Sequence, residues 1–122
     1  MAKLDQLIRE IQTELGADFL YMEVVGSDGL SIAGANLTSL DVAAVAARLT
    51  MVVKLAGKVA DKLNLGEVEE NLITVDKGYS LMHELGDGSY FVVLGLARDA
   101  ALGVARMLMK DYSEQLWDAI PR

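Results

Sequence analysis

Residues Val42 to Leu63 read as one long helix that is apolar on two separate sides, and this limits what the chain can fold into. Large side chains recur at helical spacing through Val45, Leu49, Val52, Ala56, Val59 and Leu63. A second stripe of mostly small residues runs through Ala43, Ala46, Thr50, Val53 and Gly57. Small side chains let a helix backbone approach its neighbour closely. A surface helix needs one apolar face, so two faces imply two partners. One partner is the chain's own sheet. The expected second is another copy of the protein, lying against the small-residue stripe.

The 122 residues fit one domain, 1–122, with its own core. Hydrophobic residues make up 52% of the chain, a high share for this size, so part of that surface is expected at an interface. The net charge of −7 argues against nucleic acid and anionic membrane surfaces as partners. There are no cysteines, so neither disulfides nor thiolate chemistry enter. No run approaches the roughly 20 apolar residues of a membrane span, and the N-terminal segment has no signal-peptide apolar stretch. These features predict a soluble, cytoplasmic protein.

Leu4, Leu7, Ile8, Ile11 and Leu15 mark an amphipathic first helix ended by Gly16. Phe19–Val25 is apolar on both pleat faces apart from Glu23, and Gly26-Ser27-Asp28-Gly29 turns it into a short second strand, Leu30–Ala33. Thr38, Ser39 and Asp41 offer caps for the long helix, and Gly66 stops it. Three strands follow as a meander: Val68–Val75, Tyr79–Leu85 and Tyr90–Ala97, the last again apolar on both faces. Asp99 is a candidate cap for a final helix carrying Leu102, Ala105, Met109, Tyr112 and Leu116. The order α-β-β-α-β-β-β-α predicts a mixed α/β (α+β) fold. A five-stranded antiparallel sheet lies between the long helix on one face and the two terminal helices on the other. The strand ending at Val75 should be an edge, its Leu72 and Ile73 extending the predicted dimer surface.

Motifs for chemistry are missing. There is no phosphate-binding loop, and Gly86-Asp87-Gly88 reads as a hairpin turn. His83 is the single histidine, without companions for a metal site. Asp76, Asp87 and Asp99 sit where turns and caps want aspartate. Met51, Met107 and Met109 suit core filling, and Trp117 suits packing or an exposed patch. No nucleophile–base pair emerges, so catalytic, cofactor and metal sites are all expected to be absent. Lys54, Lys58 and Lys62, with Arg48 nearby, form a basic row on the long helix of an acidic protein. It is either a solvated face or a docking surface for an acidic partner.

Three segments carry a family resemblance: VVGSDGLSIAG (24–34), LAGKVADKLNLGEVEENLITVDKGYSLMHEL (55–85) and LGDGSYFVVLGLARDAALGVARMLM (85–109). In this order and spacing the chain resembles the Roadblock/dynein light chain domain family from about Leu4 to Leu116. The resemblance implies a profilin-like fold and homo- or heterodimers formed through the long helix and adjacent edge strand. It implies no catalytic residues. The bacterial and archaeal MglB-like members bind small Ras-like GTPases of the MglA type and regulate GTP hydrolysis or nucleotide state. The alternative is a dimeric scaffold with no GTPase partner.

Overall fold

The computed structural model describes residues 2–122. It contains α1 (Ala2–Leu15), a 3-10 turn (Gly16–Asp18), β1 (Phe19–Gly26), β2 (Ser31–Asn36), α2 (Val42–Leu63), β3 (Asn71–Val75), β4 (Gly78–Leu85), β5 (Tyr90–Ala97) and α3 (Leu102–Ala119). The strands form one antiparallel sheet in the order β2-β1-β5-β4-β3. The two strands that are apolar on both faces, β1 and β5, lie inside the sheet. There each face can be covered by a helix layer.

Two cores result. On one face, Leu4, Leu7, Ile8 and Ile11 of α1 and Ala105, Leu108 and Met109 of α3 pack on Met22, Val24, Leu81, Val92 and Leu94. On the other, Val42, Ala46, Leu49 and Val53 of α2 pack on Tyr21, Val25, Met82, Phe91 and Val93. The strand alternation sorts neighbouring residues such as Tyr21 and Met22 between the two layers.

Local chemistry sets the element ends. Gly16, with φ +55°, ends α1. Asp41 caps α2 by accepting the Ala44 amide at 3.3 Å. Asn64 stops α2 in the left-handed conformation with φ 55°, two residues before Gly66.

Several boundaries differ from the sequence expectation. β2 begins at Ser31 and runs on to Asn36, because Gly34 and Ala35 continue pairing with Glu23 and Met22. β3 begins at Asn71, so Val68, Glu69 and Glu70 lie outside the sheet. Asp99 is not the α3 cap: Ala101 holds that position with no side-chain bond.

Candidate interaction surface

The face of α2 toward the sheet is the small-residue one. Ala46, Thr50 and Val53 are buried in the chain's own second core, with Ala46 fully covered. The buried Thr50 hydroxyl is satisfied by donating to the Ala46 carbonyl at 2.8 Å. This corrects the expectation that Ala43, Ala46, Thr50, Val53 and Gly57 form one stripe open to a twin. Only Ala43 is exposed and Gly57 half-buried. The cause is volume. The sheet presents Tyr21, Met82 and Phe91 to the helix, and small helix residues complement those large side chains.

The large residues beyond Leu49 point elsewhere. Leu49 is buried and Val45 half-buried, but Val52, Val59 and Leu63 are exposed, and Leu55 joins them at 63% exposure. These side chains form one wall of an apolar groove of about 690 Å³ whose other wall is the chain from Leu65 to Asn71. β3 stands at the sheet edge beside it, with Leu72 and Ile73 half-buried. Leu55 belongs to neither stripe by simple counting. The signal for it was its position one turn after Met51 and one turn before Val59, an apolar row outside the close-packed face.

Arg48, Lys54, Lys58 and Lys62 are all exposed, so the basic row is open to solvent. Among the described residues one ion pair occurs, Arg106–Glu70 at 2.8 Å, which ties α3 to the segment before β3. Both members are partly exposed, so water and salt screen the pair and it adds little to stability.

Because β3 starts opposite Met82, residues His83–Leu85 of β4 have no strand beside them on that side. A notch of about 760 Å³ opens there, lined by Glu67, Glu70, His83, Glu84, Arg106 and Lys110 among others. Burial pushes the His83 imidazole below its usual value, opposed chiefly by Glu70. Burial, then the neighbouring Glu67 carboxylate, raises Glu84. A carboxyl whose folded pKa is raised binds its proton more tightly when folded. Its contribution is most favourable in acid and is lost as pH rises through that raised value. Glu84→Gln is therefore expected to raise the thermal midpoint at neutral pH by roughly 2 °C. It should also remove the stabilisation that protonation of Glu84 supplies to the folded state on acidification. Melting curves across pH check both.

The other candidate residues have structural roles. Asp87 accepts the Ser89 amide at 2.9 Å within the β4–β5 turn. The Trp117 ring lies against Gly86, meets Tyr90 edge-on at 6.4 Å and is covered by the Arg122 guanidinium at 3.9 Å. Met109 is core, whereas Met51 and Met107 are exposed. Among the described residues no cluster of ligands could hold a metal, and no helix is long and apolar enough to cross a membrane.

Comparison with known proteins agrees with this architecture. An uncharacterised protein of Methanocaldococcus jannaschii is 34% identical over 93 residues, 76% of this chain and 80% of that protein. Among solved structures, Myxococcus xanthus MglB superimposes with TM-score 0.87 at 18% identity, covering 97% of this chain and 94% of that one. LokiProfilin1, solved with rabbit actin, has TM-score 0.68 at 15% identity over 98% of both chains, a likeness in fold that makes the architecture profilin-like. The model of the Roadblock/LC7 domain matches residues 4–95, which include most of α1, the apolar α2 flank and β3, and the chain belongs to that family.

Proposed function

We propose that this chain is a non-catalytic, cytoplasmic homodimer that binds a small Ras-like GTPase of the MglA type and sets its rate of GTP hydrolysis or its nucleotide state. The observation that carries this is the apolar flank of α2, where Leu55, Val59 and Leu63 are each at least half exposed beside an open sheet edge. Such a continuous apolar surface calls for a protein partner. A second copy fits if α2 packs on α2 through this flank and β3 pairs with β3. The accessible area supports it. The chain exposes 7062 Å², against about 6,400 Å² expected of a monomer of its mass. The excess is close to one partner's share of a standard interface, about 800 Å².

The GTPase assignment rests on the family resemblance and on the exposed basic row. Arg48, Lys54, Lys58 and Lys62 give an acidic protein a local positive surface on its longest helix. Such a surface steers encounter with an acidic patch. The test is to mix the protein with the MglA-type GTPase loaded with GDP or a GTP analogue, then measure complex formation and phosphate release. A complex in one nucleotide state is expected. The double substitution Lys54→Glu, Lys58→Glu should weaken it roughly tenfold at low salt and less at high salt. A dimer that binds the GTPase in neither state would instead favour the scaffold role.

A further inference from the structure

The sheet has a second free edge, β2, which lies at the opposite side from β3. Free edges in natural proteins are usually blunted by charge, proline or brevity. β2 has none of these: it is six residues long, SIAGAN, and lies inside a stretch without a charged side chain from Gly29 to Leu40. β5 is also uncharged, but it is central and covered on both faces. β2 is half-buried at most, with Gly34 and Asn36 exposed, so burial does not account for its composition.

The backbone at this edge is unpaired in a definable register. The Leu37 amide donates to the Leu20 carbonyl at 2.9 Å. Pairing alternates along an antiparallel ladder, so Ala35 and Ala33 also bond toward β1, while Gly34 and Asn36 turn their N–H and C=O groups outward. Gly34 faces Glu23 across the strand pair. A β-carbon at residue 34 would fall on the Glu23 carboxylate and 2.6 Å from the Met22 carbonyl oxygen. The glycine therefore lets Glu23 lie across β2. Glu23 accepts from the Ser31 hydroxyl at 3.1 Å and, among the described residues, has no cationic partner. Burial raises its pKa against the Ser31 bond, as expected for a half-buried carboxylate without a counter-charge.

We propose that the outer edge of β2 accepts an extended segment of another protein as a sixth strand, uncharged apart from one lysine or arginine opposite Gly34 that pairs with Glu23. A side chain opposite Gly34 points to the same face as the Glu23 carboxylate. Backbone bonds would give affinity and the one basic side chain would give register. A second copy of this chain is the poorer occupant. It carries the same net charge of −7 and would bring a second uncompensated Glu23 to the same edge. This edge is opposite β3 and includes none of the exposed α2 flank, so the proposal does not depend on the dimer or the GTPase.

The test uses blocked decapeptides of alternating valine and threonine with a central lysine, norleucine or glutamate, N-methylated along one edge so that they cannot self-associate. Binding to the full protein is followed by fluorescence anisotropy and by amide exchange. The lysine peptide should bind roughly tenfold more tightly than the glutamate peptide. It should slow exchange at the Gly34 and Asn36 amides. Glu23→Gln should abolish the lysine preference while leaving the norleucine peptide's binding and the thermal midpoint little changed. Absence of binding, binding without lysine preference, or protection confined to β3 and α2 would each overturn the proposal.

Discussion

A Val59→Glu chain is expected to sediment as a folded monomer at concentrations where the parent forms the proposed dimer. Val59 is 50% exposed and lies outside both cores, so the change removes nothing that holds the subunit together. In the dimer, it would bury an unpaired carboxylate between two apolar helices. A loss of about 3 kcal/mol or more follows, a dissociation constant weaker by at least two orders of magnitude. Leu55→Glu should behave in the same way. Ala46→Leu should do the reverse: Ala46 is fully buried against the chain's own sheet, so overpacking there should lower the thermal midpoint. Analytical ultracentrifugation with circular dichroism separates the two outcomes. A Val59→Glu protein that stays dimeric would place self-association on some other surface.

The largest loss of stability is expected from Gly95→Ala. Gly95 sits in the central strand between Tyr21 of β1 and Ser80 of β4, one residue of each strand in a row. The Tyr21 ring lies directly over the glycine, and its hydroxyl is hydrogen-bonded to the Ser80 hydroxyl on the far side. A methyl group at 95 would overlap the ring, which is buried under α2 and has nowhere to move. The expected cost is about 3 kcal/mol, from overpacking plus the broken Tyr21–Ser80 bond. Tyr21→Phe removes the hydrogen bond alone and should cost only about 1 kcal/mol. Denaturant melts of the two variants measure the difference. Equal effects would mean that the ring does not depend on the glycine beneath it.

The architecture was legible because the chain alternates clear periods. The strict spacing of Leu4, Leu7, Ile8 and Ile11 marks α1, and the double-faced runs at β1 and β5 mark the interior strands. Turn residues such as Asp87 and Gly88 fixed the meander. The orientation of α2 was not legible. Small residues signal close approach, but a helix closes on a sheet as readily as on another helix. The choice depends on the volumes of Tyr21, Met82 and Phe91, which lie far from α2 in sequence. The role of Gly34 was hidden for a similar reason: it becomes visible only when the register places Glu23 opposite it. The start of β3 was misplaced because Glu69, Glu70 and Asn71 read as the polar first half of a strand begun at Val68, while Glu70 instead leaves the ladder to meet Arg106.

The last turns of α2 reach past the material beneath them. A β-carbon at Gly57 would meet no atom within 4 Å, and Asp61, Lys62 and Leu63 are all exposed. This end is a cantilever, supported by its own backbone ladder and by whatever docks alongside. In a lone subunit it should fray and re-form freely, and in an assembly it should stiffen. The subunit's copy number would thereby govern how much rigid rod it presents to other molecules.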